Sequence, residues 1–267
     1  MPPIAGLCDA LGTLHAPCEA EPRIVSLVPS LTELLCELGL AKHIVGRSGF
    51  CIHPRDIVKA IPKMGGTKDA DIDRIRAAAP THLVVNVDEN RREQIEDIAR
   101  FVPHIVVTHP NTPEDNLELF RLLGGIFRRE AQAAQLAEDF MAAREALRRA
   151  AAALPRERVL YLIWKDPWMS VARETYISAM LAAAGWDTLP VRSGTRYPEI
   201  DAASPGLTFA ERVLLSTEPY RFTDKHLAEA EARFGSPAQL IDGEMVSWYG
   251  SRAAAGLRYL ARLRQEG

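Results

Sequence analysis

Six aromatic residues, Trp164, Trp168, Tyr197, Tyr220, Trp248 and Tyr249, fall at or just beyond the ends of short apolar runs, in a chain that is only 7% aromatic. Such side chains bury a planar ligand by stacking and hydrophobic contact together. The plainer alternative is that each packs the edge of a fold. Charges gather at the same places: Asp166, Arg196, Glu218, Asp242, Glu244 and Arg252. Solvated surface is the default for each, but Arg196 and Arg252 flank aromatics, where a guanidinium suits carboxylate- or amide-bearing groups on a ligand. Cys51 and His53 make a Cys-x-His pair. Two ligands at i,i+2 need partners from elsewhere to hold a metal. His53 is otherwise open to two readings, axial coordination of a metal carried by a bound macrocycle or a hydrogen bond to the turn at Pro54.

A catalytic constellation is not evident. The chain has no Gly-x-Ser-x-Gly elbow, no Walker loop and no Gly-x-Gly-x-x-Gly following a strand. Asp69, Asp71 and Asp73 alternate like part of a calcium loop, but the glycine and closing Glu are missing. They suit the start of a helix, where negative charge is favoured. An enzymatic reading would rest on Cys51, His53 or Glu244 alone.

The elements that carry these residues follow one rule. Val25–Val28 runs into Pro29-Ser30, Leu83–Val85 into Asn86-Val87-Asp88, and Leu160–Ile163 into Trp164–Pro167. Val213–Leu215 runs into Ser216–Tyr220, and Leu240-Ile241 into Asp242-Gly243-Glu244. Short apolar runs alternating with helical periodicity predict parallel strands in βαβ order. Ligands of such sheets sit beyond the carboxyl ends of the strands. Ser30-Leu31-Thr32-Glu33 has capping-box spacing ahead of a leucine stripe. Leu136, Phe140, Leu147, Ala151 and Leu154 keep one face of a helix predicted over 126–154, about 44 Å long at 1.5 Å per residue. The expected organisation is an extended arm over 1–22, an α/β lobe over 23–125, the linker helix over 126–154 and a second α/β lobe over 155–267. The fold class is thus two Rossmann-like lobes with parallel sheets joined by one long backbone helix, with a ligand cleft between them.

Composition narrows the partners. The 267 residues carry a net charge of −3, from 32 Lys+Arg against 35 Asp+Glu. No bulk field draws nucleic acid or an anionic membrane, and no run of eighteen apolar residues argues for membrane insertion. The first residues have no basic start before a long apolar stretch, so the expectation is cytoplasmic, or periplasmic if the true start lies elsewhere. The four cysteines form no Cys-x-x-Cys pair, so a structural zinc site is not expected; Cys36 reads as a buried thiol, and a Cys8–Cys18 disulfide would need an oxidising compartment.

With these residues in view, the chain resembles the helical-backbone, or class III, substrate-binding proteins of metal-chelate ABC importers, most closely the cobalamin-binding branch. Arg23–Glu33 resembles that family's opening strand and helix. Gly65-Gly66-Thr67 through Ile72–Ile75, then Ala79–Val85, is similar to its second βαβ segment. The resemblance spans about 23–264 and implies two lobes on one helix, an interlobe ligand held largely by aromatic stacking, no intrinsic cofactor and an importer permease as partner. By position it implies that Phe50 is an aromatic wall and that Asn86 and Asp88 lie on the loop after a core strand. It matches Tyr197-Pro198 and Trp248-Tyr249 to the aromatic pairs of the second lobe. The family docks through one exposed Glu on each lobe; here the matching positions are Arg92 and about Ala203, with Glu89, Glu93 and Glu199 nearby. The main expectation is non-catalytic binding of a cobalamin-like or other metal chelate. The rivals are a cytoplasmic carrier or sensor without an importer, an enzyme acting on such a ligand, and a purely structural scaffold.

Overall fold

The computed structural model describes residues 6–201, 203–204 and 207–266. They divide into two compact units. The first holds the described residues up to Pro110, Glu114–Glu138 and the short return segment Tyr249–Arg252; the second holds Asn111–Pro113, Asp139–Trp248 and the residues from Ala253 onward.

In the first unit the N-terminal segment is not the extended arm expected, although residues 1–5 of that arm lie outside the described ones. Strands β1 (Leu7–Cys8) and β2 (Leu14–His15) form an antiparallel hairpin. Its carboxylate at Asp9 accepts from the amides of Leu11, Thr13 and Val107, at 3.0, 3.0 and 3.1 Å, and lies 3.2 Å from His15 Nε2. This side chain adds to the backbone bonds from Asp9 N to Thr13 and from Ala10 N to Val107. Then follow β3 (Ile24–Ser26), α1 (Pro29–Glu37), β4 (Ile44–Arg47), α2 (Arg55–Val58), α3 (Ile72–Ala77), β5 (His82–Asn86), α4 (Arg92–Ala99), β6 (His104–Thr108) and α5 (Asp115–Ile126). The sheet order is β4-β3-β5-β6, all parallel. Val25, Leu27, Ile75, Leu83, Val85 and Ile98 anchor its core.

Two local expectations change. Helix α1 starts two residues early, with Pro29 in its first turn and Val28 as a cap that makes no side-chain bond, so Ser30 lies buried inside the helix instead of capping it. Of the three alternating aspartates, Asp71 caps α3 by accepting from Arg74 N at 3.0 Å.

The linker helix is shorter than predicted. α6 runs Glu130–Ala152, and the turn separating it from α5 lies at Phe127–Arg129, with Arg128 at φ +54°. Gly124, inside α5, permits a close approach, since a Cβ there would lie 2.5 Å from Cβ of Ala133. The boundary between the units falls inside α6, between Glu138 and Asp139.

The second unit continues with β7 (Glu157–Trp164), β8 (Met169–Ser170), α7 (Tyr176–Ala183), β9 (Trp186–Leu189), β10 (Arg212–Ser216), α8 (Leu227–Phe234), β11 (Ala238–Ile241), α9 (Gly243–Ser247) and α10 (Ala253–Glu266). β11, β10, β7 and β9 are parallel neighbours in that order, while the two-residue β8 pairs antiparallel with the last residues of β7. Thr175 caps α7 by accepting from Ser178 N, and Gly235 at φ +74° ends α8. Among the described residues no helix is long and apolar enough to cross a membrane.

Candidate functional site: the strand ends of each unit

In the first unit β4 ends at Arg47, whose buried guanidinium donates to the carbonyls of Val58 and Ser48 at 2.7 and 3.0 Å. The turn so fixed encloses Cys51, with its sulfur 3.2 Å from Ser48 Oγ and 3.1 Å from Thr32 Oγ1. Burial pushes this thiol up, so Cys51 is a neutral, enclosed group and not an available nucleophile or metal ligand. Its neighbours are different. Phe50 is 62% exposed, Ile52 is exposed as well, and His53 is half-buried before a cis bond to Pro54.

β5 ends at Asn86, which is buried and folds its own loop. Its Nδ2 donates to Thr108 Oγ1 at 3.4 Å, its Oδ1 accepts from Asp88 N at 2.8 Å, and its backbone N–H donates to Asn90 Oδ1 at 2.9 Å. Asn90 in turn donates to the carbonyl of Thr67 at 3.0 Å. Asn86 therefore positions the loop. Asp88 lies 3.6 Å from His109 Nε2, and its carbonyl accepts from Lys68 Nζ at 2.6 Å.

The return segment closes this unit with three side-chain anchors. Tyr249 OH donates to Glu89 Oε1 at 2.7 Å, and Gly250 N–H donates to Asn116 Oδ1 at 2.6 Å. Arg252 grips Glu33 through two parallel bonds of 2.9 and 2.6 Å. Burial, and then the Glu89 charge, holds the Tyr249 phenol well above its ordinary range. Tyr249 is only 7% exposed. Both residues, expected to touch ligand, hold the unit together.

In the second unit Trp164 closes β7 and is 40% exposed. It meets Tyr220 edge-on with ring centroids 5.6 Å apart; Tyr220 lies 4.7 Å from Phe222, and its hydroxyl is 3.4 Å from His226 Nε2. Trp164 is thus a wet indole on a packed aromatic backing. Tyr197 is also exposed. Trp168 is a correction: 6% exposed, stacked on Phe222 at 5.8 Å and edge-on to Phe234 at 5.5 Å, it belongs to the core. Trp248 is another, 7% exposed, with its indole N–H donating to Glu218 Oε1 at 2.8 Å. Ser247 Oγ donates to the same oxygen. Burial, followed by the charges of Glu244 and Asp242, pushes the Glu218 carboxyl up. These acids are crowded by Gly243, where a Cβ would lie 2.6 Å from Glu218 Cγ. Glu244 is half-buried at the start of α9, its N–H on Asp242 Oδ1 at 3.0 Å. Arg196 donates to the Glu174 carbonyl at 2.7 Å and to Asn111 Oδ1 at 2.8 Å.

Residues 24–203, about two thirds of the chain, match the periplasmic binding protein family. The chain belongs to that family. A vitamin B12-binding protein of Vibrio parahaemolyticus is 21% identical over 204 residues, covering 76% of this chain and 71% of the relative. Among solved structures, the periplasmic vitamin B12 binding protein BtuF of Vibrio cholerae aligns with TM-score 0.79 and 15% identity, over 92% of this chain and 98% of that one. The periplasmic heme-binding protein RhuT from Roseiflexus sp. RS-1 aligns with TM-score 0.78 and 21% identity, over 92% and 99%. At these identities the structural likeness establishes the fold: two α/β units with parallel sheets on a helical backbone.

The two positions that the resemblance matched to docking residues both lie at the surface. Arg92 is exposed in the first turn of α4 and pairs with Glu96 at 2.7 Å; Glu93 beside it is exposed, as is Ala203. Glu89 is engaged by Tyr249. Three acids that the sequence suggested for other roles are partners of the residues it singled out: Glu33 for Arg252, Glu89 for Tyr249, Glu218 for Trp248. The run Asn-Val-Asp-Glu-Asn at 86–90 carried a usable signal, because Asn and Asp after a strand fold the backbone onto their own side chains.

Proposed function

We propose that this chain is a non-catalytic receptor for a cobalamin-like or other metal-chelate ligand, taken up at the carboxyl ends of its parallel sheets, in an ABC-import system. The observation that carries the reading is Trp164: a large indole left 40% exposed at a strand end, on an aromatic backing that holds it in place. Phe50 is the corresponding exposed ring of the first unit, and Tyr197 and Tyr220 extend the apolar face of the second. Family membership supports a binding role, and the vitamin B12- and heme-binding relatives support a metal chelate. The test is a titration of cobalamin, cobinamide, haem and a ferric siderophore followed by tryptophan fluorescence. Saturable quenching by one of them, weakened in Trp164→Ala, is the expected outcome; no response across the panel refutes the proposal.

A second reading keeps the ligand and drops the importer: a cytoplasmic carrier or sensor. Arg92 supports it, because it sets an ion-paired cation where the family presents an acidic docking residue. Recovery of the native protein from the periplasm of its host would exclude this reading.

A further inference from the structure

We infer that Tyr220 is a hydrogen-bond donor to the ligand, with His226 setting its direction, so that the ligand must offer an acceptor oxygen at this aromatic wall. This rests on the receptor reading above and adds a polar requirement to the apolar stacking that Trp164 supplies.

His226 decides where the protons lie. It makes a reciprocal cap with Thr223 at the 3-10 turn Asp224–His226, just ahead of α8. The Thr223 N–H donates to His226 Nδ1 at 3.0 Å, and the His226 N–H donates to the Thr223 carbonyl at 2.9 Å. Thr223 Oγ1 and the Thr223 carbonyl oxygen each lie 3.2 Å from Nδ1 as well. The backbone N–H is fixed in direction, so a proton on Nδ1 would meet it head-on, and the carbonyl already has its donor. Nδ1 is therefore the lone-pair nitrogen, and Nε2 carries the proton of the neutral ring.

Nε2 lies 3.4 Å from the Tyr220 hydroxyl. Protonated there, the imidazole can only give to the phenol oxygen, and Tyr220 cannot donate its own O–H to His226. Among the described residues no other group accepts that proton, and the neighbouring Lys165 is itself a donor, bound to Glu229. The hydroxyl hydrogen is thus turned away from His226 and left for a ligand. The ring that carries it is held in place, edge-on to Trp164 and His226 at 5.6 and 5.7 Å and 4.7 Å from Phe222. Trp164 beside it has a donor-only indole N–H that meets no acceptor among the described residues. What this wall offers a ligand is donors. A half-buried donor covered by a ligand that cannot accept from it loses its water without replacement. A hydrocarbon rim is therefore rejected, and an amide carbonyl or a carboxylate oxygen is taken.

Tyr220→Phe tests this, because it keeps the ring and deletes only the hydroxyl. Wild type and variant are titrated with the panel named above, in which cobalamin and cobinamide carry amide carbonyls at the rim and haem carries carboxylates, and urea midpoints are measured on the same preparations. The member that wild type binds most tightly should bind Tyr220→Phe about tenfold more weakly while the midpoint stays in place, and its identity tells carbonyl from carboxylate. Nitrogen-15 spectra of the imidazole, assigned by difference against His226→Gln, should show a pyridine-type Nδ1 and a pyrrole-type Nε2. Unchanged affinity in Tyr220→Phe, a loss accompanied by a fall in midpoint, or the reverse tautomer overturns the inference and leaves the receptor reading in place. Silence of wild type across the whole panel removes both.

Discussion

The sorting of Trp164 and Trp168 gives the sharpest prediction, because the two are four residues apart and were indistinguishable as a sequence pair. Trp168 is 6% exposed and packed by Phe222 and Phe234. Replacing a buried Trp by Ala costs about 3–5 kcal/mol, from lost transfer energy and the cavity left behind. Against a typical total of about 5–15 kcal/mol that is a large share. At a urea slope near 2–3 kcal/mol per molar, Trp168→Ala should lower the midpoint by about 1–2 M. Trp164 is 40% exposed, with one edge-on ring contact to Tyr220. Trp164→Ala should therefore cost about 1 kcal/mol or less. Ligand affinity should follow the opposite order: Trp164→Ala loses about 2 kcal/mol, roughly thirtyfold, as expected for an aromatic anchor. A Trp168→Phe variant, which keeps an aromatic in the core, should bind nearly as wild type. Urea unfolding followed by far-UV circular dichroism, with ligand titrations on the same preparations, reads both axes. If Trp168→Ala leaves the midpoint in place while abolishing binding, the assignment of core and wall is reversed and the reasoning fails.

Glu33→Gln removes the carboxylate that grips the half-buried Arg252 and should destabilise by about 2–3 kcal/mol, more than a surface pair would; a double-mutant cycle with Arg252→Met isolates the coupling, and a value near zero would contradict the bidentate geometry. Asp9→Ala removes the acceptor of three backbone amides, so the Leu11, Thr13 and Val107 amides should exchange with solvent at least tenfold faster while the β5 amides stay protected, as hydrogen exchange would show. His82, stacked on His104 at 4.7 Å and 3.5 Å from the Cys18 sulfur, is pushed down to about 4 from 6.5, first by burial and then by His104 and His15. Between those values the unfolded chain binds a proton that the folded chain refuses, so stability should fall as pH drops from about 6.5 towards 4. His82→Phe should flatten that slope in midpoint-versus-pH curves, and an unchanged slope would place the titration elsewhere.

Much of the fold was legible because it depends on period. The apolar runs Leu83–Val85, Leu160–Ile163 and Val213–Leu215 lie inside β5, β7 and β10, as uninterrupted apolar runs beside helical stripes require. β9 was not, since Trp186–Leu189 is four residues with an Asp inside, following directly on Gly185. The β1–β2 hairpin was not legible either; its strands are two residues each, its turn and its tie to Val107 are held by the Asp9 carboxylate, and no alternation announces that. At the site, residue types were easier to read than roles. Phe50 and Trp164 stand exposed where strands end. Trp168, Trp248, Tyr249 and Arg252 occupy equivalent positions in sequence but are claimed by partners far along the chain, 219 residues away for Glu33 and Arg252. Only the fold brings such pairs together.

The return segment has a consequence for biosynthesis. The first unit takes its last four residues from Tyr249–Arg252, in a chain of 267. As the ribosome delivers the polypeptide from its amino end, Glu33, Glu89 and Asn116 emerge early and wait with their anchors unmade until Tyr249–Arg252 has followed. Maturation of the leading half is thereby tied to completion of the trailing one, and a prematurely terminated product would lack the clasp that finishes it.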